Sequence, residues 1–283
     1  MGLIRTLTKK EVKEKVREWK KEGASIGLVP TMGYLHEGHA SLIRKAVEQN
    51  DHVIVSDFVN PIQFGPKEDL ATYPRDFEAD CALVESLGAD LIFHPSPEEM
   101  YEPDFCTHVN VDVLTKGLCG ARRPVHFGGV CTVVSKLFHI SEADRAYFGQ
   151  KDAQQLAVVR RMARDLDMDI EIIGCPIIRE EDGLAKSSRN TYLSPQERKA
   201  APILHKALTR GQEMIENGEK DASKVKAKVS AIISSEPLAR IDYVEIVDWN
   251  QLQPVETTDG PILCAVAVYF GSTRLIDNFI KED

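Results

Sequence analysis

The segment Val29-Pro30-Thr31-Met32-Gly33-Tyr34-Leu35-His36-Glu37-Gly38-His39 carries two histidines three residues apart around a glycine. It joins an apolar run to an amphipathic stretch, so it reads as a strand running into a helix. Such a junction gathers backbone N–H groups and the positive end of the helix dipole, which suits a polyphosphate. His36 and His39, at i and i+3, share one face of the first turn, and Gly38 permits close approach of a ligand to the backbone. The chemistry this suggests is attack at the α-phosphate of a nucleotide. Phosphate contact would favour cationic imidazoles, which would stabilise charge on the departing pyrophosphate. The bland alternative is that one histidine caps the helix and the other packs.

Four further constellations bear on that chemistry. Gly149-Gln150-Lys151-Asp152 lies at a strand end before a helix, where open α/β sheets bind ligands, and Lys151 offers a compact positive charge; Asp152 is equally a plain helix cap. Lys186-Ser187-Ser188-Arg189-Asn190 places two hydroxyls between cations, a mobile anion clamp or simply a polar interdomain loop. Phe58-Val59-Asn60-Pro61-Ile62-Gln63-Phe64-Gly65 offers neutral amides at Asn60 and Gln63, and Gln154 and Gln155 offer the same. These suit a small hydroxylated acid better than a phosphate, unless they are surface amides. Arg122-Arg123-Pro124-Val125-His126-Phe127-Gly128-Gly129 reads either as a lid or as a solvated turn.

The elements that position these residues follow from periodicity. Thr8-Lys9-Lys10-Glu11 is a capping box that opens a helix ending near Gly23. Strands are expected over 25–29, 52–59 and 90–93, with helices over 38–50 and 76–87 between them. This βαβαβ rhythm belongs to a parallel sheet with helices on both faces. Beyond it, 108–113 alternates like a strand, 130–140 and 152–166 read as helices, and 146–148 and 171–178 as strands. Charge and glycine in Arg179-Glu180-Glu181-Asp182-Gly183 suggest a hinge. After it come two helices, 194–217 and 222–235, and strands over 242–247, 263–270 and 273–278, an antiparallel pattern. The expected fold class is therefore α/β: a Rossmann-like parallel-sheet N-terminal domain, 1–177, and a smaller α+β C-terminal domain, 178–283. The net charge of −9 argues against a nucleic-acid partner. The six cysteines form no C-x-x-C pair and read as thiols of a reducing compartment rather than a disulfide framework or zinc site. Met1 to Arg5 run into a charged helix with no secretory leader, and no apolar run nears the roughly 20 residues of a membrane span. A cytoplasmic protein without a membrane partner is expected.

Taken in order, these segments resemble the pantothenate synthetase (pantoate–β-alanine ligase) family. Pro30-Thr31-Met32-Gly33 leads into His36-Glu37-Gly38-His39; Phe58-Val59-Asn60-Pro61 with Gln63-Phe64 follows, then Tyr73-Pro74-Arg75. Arg123-Pro124 with His126-Phe127, Val134-Ser135-Lys136-Leu137-Phe138, Gly149 with Lys151-Asp152 and Gln155, and Ser187-Ser188-Arg189-Asn190 complete the set. His-x-Gly-His alone is shared across a nucleotidylyltransferase superfamily; the ordered set is far more specific. The resemblance implies a two-step ligase in which pantoate attacks Mg-ATP, giving pantoyl adenylate and pyrophosphate, and the amine of β-alanine then displaces AMP. It implies catalytic roles for His36, His39 and Lys151, with His39 as proton donor. ATP would be held by Met32, Gly33, Tyr34, Leu35, His36, Glu37, Gly38 and His39, by Gly149, Gln150, Lys151 and Asp152, by the backbone of Ile178, and by Lys186, Ser187, Ser188 and Arg189. Pantoate and β-alanine would meet Gln63, Gln155, Asn60, Pro30 and Thr31. No protein-bound metal and no prosthetic group is implied; Mg²⁺ rides on the phosphates. The family also implies a homodimer and a C-terminal lid. Three positions depart from its pattern: Val125 and Gly128 in the basic loop, and Lys186 where many members carry methionine. Rivals on the same scaffold are a plain nucleotidylyltransferase, whose second site should be basic, and a non-catalytic nucleotide sensor, which would be expected to lose His39 or Lys151. A class I aminoacyl-tRNA synthetase is disfavoured by size and acidity.

Overall fold

The computed structural model describes residues 2–66 and 68–282. In chain order the elements are β1 (Ile4–Thr6), α1 (Lys9–Lys21), β2 (Ile26–Thr31), α2 (Glu37–Gln49), β3 (His52–Asp57), α3 (Phe77–Ser86), β4 (Leu91–Phe93), α4 (Pro97–Met100) and α5 (Leu118–Arg122). They continue with α6 (His126–Ser141), β5 (Arg145–Gly149), α7 (Ala153–Asp165), β6 (Glu171–Cys175), α8 (Pro195–Ala200), α9 (Ile203–Glu216) and α10 (Ala222–Ser234). β7 (Ala239–Asp248), β8 (Ile262–Phe270) and β9 (Thr273–Lys281) close the chain. Two compact units emerge: 1–111 with 122–150 and 158–176, and 112–121 with 151–157 and 177–283.

The first unit holds a six-stranded sheet in the order β1-β4-β3-β2-β5-β6, parallel throughout. From β2 the chain winds outward through β3 and β4, then returns to the other side of β2 with β5 and β6. The direction reverses between β2 and β5, which makes their carboxyl ends the switch point where open sheets bind ligands. Pairing of β2 with β3 runs on to Thr31 and Asp57. Among the described residues, pairing with β5 covers Gly27–Arg145 and Leu28–Ala146 alone. Pro30, which has no N–H to give a ladder, lies beyond that stretch, so β2 and β5 part where the His-x-Gly-His turn begins. One face of the sheet packs Val29, Val53, Val55 and Ile92 against Leu42, Ile43 and Ala46 of α2 and Cys81 and Val84 of α3.

The second unit is a three-stranded antiparallel sheet, β7-β8-β9. Leu204, Ala207 and Leu208 of α9 and Val225, Val229 and Ile233 of α10 close its core against Val266, Val268 and Phe270. The fold class expected from the sequence is thus the observed one.

Local expectations differ in several places. β1 leaves no mark in the sequence pattern; three residues of an edge strand carry too little periodicity to register. The alternation over 108–113 is not a strand: Val109 donates its N–H to the Thr132 hydroxyl of α6 at 3.0 Å, so the segment lies along a helix rather than joining a ladder. β6 stops at Cys175 because Pro176 follows. The helix expected over 194–217 breaks into α8 and α9 at Ala201-Pro202, where proline ends one helix and opens the next. The expected hinge is a closed hairpin: Lys186 donates to the Ile178 carbonyl at 2.9 Å, Glu180 to that of Leu184 at 2.8 Å. Arg179 clamps it to the buried Asp277 with bonds of 2.7 and 3.0 Å. Cys106 is exposed and the other five thiols are buried; all are free. Among the described residues no helix is long and apolar enough to cross a membrane.

Candidate active site

The His-x-Gly-His turn is built by its own side chains. His36 is the N-cap of α2, and its Nδ1 accepts the Gly38 N–H at 3.1 Å. His39, at the third helical position, returns the bond: its Nδ1 accepts the His36 N–H at 3.2 Å. This is a capping box made of two imidazoles, with ring centroids 4.1 Å apart and 39° between planes. A backbone N–H can only donate, so each Nδ1 presents a lone pair, which leaves Nε2 as the ring's protonated nitrogen. A second proton on either Nδ1 would displace a cap, so cationic rings, expected under phosphate contact, would have to give up these bonds. Both histidines cap, rather than one capping and the other packing.

The turn also commits its amides. Gly33 donates to the Thr31 hydroxyl at 3.2 Å. Tyr34 and Leu35 donate to the two carboxylate oxygens of Asp80, each at 2.7 Å. His39 and Ala40 both donate to the His36 carbonyl. The N–H groups expected to cradle phosphate are thus largely engaged within the chain. Gly33 and Tyr34 both have positive φ, +76° and +51°, and a β-carbon on Gly33 would collide with Asp57 Oδ1; only glycine fits there.

The amide loop after β3 is a buried network. Gln63, in a 3-10 turn over Pro61–Gln63, accepts from Asn60 Nδ2 at 2.9 Å and donates to Met32 Sδ at 3.0 Å. Asn60 donates to the Gly129 carbonyl at 3.1 Å and accepts from the Tyr101 hydroxyl at 2.6 Å. Burial pushes the Tyr101 phenol up, so it stays a donor. The alternative reading of surface amides thus fails at both positions, which are interior. Thr31 is taken up by the Ser56 carbonyl at 2.7 Å. Tyr101 escaped sequence reasoning because nothing near it in the chain marks it.

The basic loop is a tight turn of three residues, Arg123–Val125, with the His126 N–H on the Arg123 carbonyl at 3.0 Å. Arg123 grips Glu68 through two bonds of 3.0 and 2.6 Å. Burial pushes the Glu68 carboxyl up, but the Arg123 bonds outweigh it and hold it below its ordinary value. The Arg123–Glu68 pair anchors the turn in this structure.

In the second unit, Lys151 lies in a 3-10 turn over Gln150–Asp152, 3.5 Å from the Asp152 carboxylate. Gln154 is not a ligand candidate: its buried amide donates to the carbonyls of Leu114 and Gly117 at 2.8 and 3.0 Å. Gln155 is half-buried. Ser187 caps a 3-10 turn over Ser188–Tyr192 by accepting the Arg189 N–H at 3.3 Å. Lys186 is held 3.3 Å from Glu180 across the hairpin. Gly149 and Gln150 belong to the first unit, and Ile178 and Lys186 to Arg189 to the second.

Residues 5–280 match the family model described as Pantoate-beta-alanine ligase. The chain belongs to the pantoate–β-alanine ligase family. A pantothenate synthetase of Clostridium botulinum (strain Loch Maree / Type A3) is 61% identical over 279 residues, spanning 99% of each chain. One from Enterococcus faecalis is 60% identical over 275 residues, 97% of this chain and 98% of the other. The crystal structure of pantothenate synthetase from Thermus thermophilus superposes with a TM-score of 0.93 at 46% identity, covering 98% of this chain and 99% of that one. A pantoate–β-alanine ligase from Francisella tularensis, complexed with Beta-gamma ATP and Beta-alanine, gives 0.81 at 33% identity over 98% and 97%. The fold seen here thus matches that of solved pantothenate synthetases.

Proposed function

We infer that this chain condenses pantoate with β-alanine, consuming ATP and releasing AMP and pyrophosphate. The observation that carries the reading is the end-to-end relation to pantoate–β-alanine ligases, in a chain whose His-x-Gly-His turn lies at the sheet's switch point. A carboxylate is a poor electrophile. Attack on the α-phosphate of Mg-ATP converts it to an acyl phosphate with AMP as leaving group, and the β-alanine amine then attacks the acyl carbon.

His36 and His39 donate from Nε2 to the phosphates, as neutral donors that need no reorganisation when charge develops. His39 is the proton donor of this reading. Lys151, Lys186, Ser187, Ser188 and Arg189 supply charge and hydroxyls to the phosphates, Gly149, Gln150 and Asp152 complete the ATP contacts, and the Ile178 backbone meets adenine. Gln63 and Gln155 hold pantoate, with Asn60 setting the Gln63 amide. Neutral amides at these positions favour a hydroxy acid and count against a nucleotidylyltransferase with a phosphorylated second substrate. The Francisella relative's Beta-gamma ATP and Beta-alanine point to the ligands we carry to this chain, ATP and β-alanine, with Mg²⁺ brought on the phosphates. A domain boundary near residue 177, a lid role for the C-terminal domain, a homodimer and a cytoplasmic location belong to the same proposal.

The test is ATP–pyrophosphate exchange with and without pantoate. Exchange that needs pantoate, ignores β-alanine, and gives way to pantothenate when β-alanine is added is the expected outcome. Exchange without pantoate would overturn it.

A further inference from the structure

Asp80 occupies a position that a soluble helix normally gives to a hydrocarbon. The apolar stripe of α3 is Phe77, Cys81 and Val84, and Asp80 lies within it, buried at 3% exposure. Its two oxygens take two consecutive amides, Tyr34 and Leu35, at 2.7 Å each. Those amides follow Gly33 and Tyr34, the pair with left-handed backbone. A non-glycine residue there is strained and persists only when its surroundings over-determine it. The next residue is His36.

We propose that Asp80 is a positioning residue for the ATP half-reaction: by accepting both amides it fixes the turn that presents His36 and His39. It acts through the histidines. Asp57 backs the same turn from the end of β3, close under Gly33, and is itself held by His94, whose Nδ1 lies 2.8 Å from the Asp57 carbonyl oxygen and 3.3 Å from Oδ2. Asp80 therefore holds the turn by hydrogen bonds, and Asp57 leaves no room beside Gly33 for a side chain. Burial pushes the Asp80 carboxyl up, and the two amide bonds, which act against that, do not reverse it. The ionised side chain is thus poorly placed for stability, and what it secures is the conformation of the turn.

The proposal rests on His36 and His39 acting on ATP as inferred above. It is tested with Asp80→Asn in the full chain. Asparagine keeps one acceptor and turns an N–H₂ toward the other amide. Hydrogen exchange is expected to lose protection at Tyr34 and Leu35 while α3 keeps its own. The maximal rate of ATP–pyrophosphate exchange should fall roughly 10- to 100-fold, the scale of an ångström of misplacement. The KM for pantoate should stay within about two-fold and the melting temperature should hold or rise. Retained protection at Tyr34 and Leu35, or exchange within two-fold of the parent, would overturn the proposal. So would activity lost only in step with α3 protection and melting temperature. Absence of pantoate-dependent exchange in the parent protein overturns the functional reading, and this proposal with it; retained amide protection in Asp80→Asn sinks the positioning role alone.

Discussion

At the scale of single residues, each imidazole of the His-x-Gly-His turn caps α2 through Nδ1, and in the function proposed above each also donates from Nε2. Substitution can separate the two roles. His36→Ala removes an N-cap acceptor and should cost about 0.5–2 kcal/mol of stability. His36→Asn restores an acceptor and should recover most of that loss in a denaturant titration. Neither restores the ring donor, so both should be slow in pyrophosphate exchange. His39→Ala should lose roughly 10²–10³-fold in the same assay, the scale of one charge-stabilising donor; near-normal exchange would remove His39 from the chemistry. The residue types of the turn were legible in the sequence, as were Asn60 and Gln63. The direction of each hydrogen bond was not, because Asp80 is 45 residues from Leu35 and Tyr101 is 41 from Asn60. One clue was available: an aspartate in the apolar stripe of α3, between Phe77 and Val84, breaks the pattern and asks for a partner.

At the scale of elements, the Asn60 and Gln63 amides are set by the packing of α6 on the 3-10 turn after β3. A β-carbon on Gly129 would come 2.5 Å from the Gln63 Cα and 2.6 Å from the Ile62 carbonyl oxygen. That is backbone against backbone, with no flexible side chain to give way. Gly129→Ala should therefore push the Gln63 turn aside, cost about 1–3 kcal/mol and raise the KM for pantoate more than that for ATP. Equal rises would point to general loosening. In the second unit, the hairpin through Ile178 and Lys186 depends on Arg179 and Asp277. Removing the guanidinium in Arg179→Ala leaves a carboxylate with 2% exposure unpaired, at a cost on the order of 3 kcal/mol, read as a lower denaturant midpoint. The charge-rich segment looked like a hinge because Glu180-Glu181-Asp182-Gly183 has loop composition. What closes it is a residue of β9, 98 positions from Arg179, and no local pattern carries that. The long helices and central strands were legible because burial imposes period on them. β1 and the Ala201-Pro202 break were too short to leave one.

At the scale of the whole molecule, stability should depend on pH at both ends of the neutral range. The Asp57 side-chain bond raises His94 above the ordinary histidine value of 6.5 against a smaller loss from burial. Its contribution is thus complete below about 6.5 and disappears as pH climbs through the raised value. Unfolding free energy should fall over that window, and His94→Asn should flatten the slope. On the acid side, Glu68 is held below its ordinary value of 4.5, so its contribution stands above 4.5 and is lost as pH drops through the lowered value. A second consequence concerns the solution in which the molecule works. Living cells hold free orthophosphate and many phosphorylated metabolites, and an open ring of backbone amides would collect them. The turn after β2 has its amides already committed to Thr31, Asp80, His36 and His39. A stray anion meets few unsatisfied donors there, so orthophosphate should be a feeble competitor of ATP in a steady-state inhibition assay. Selectivity of this kind comes from what the protein has withheld.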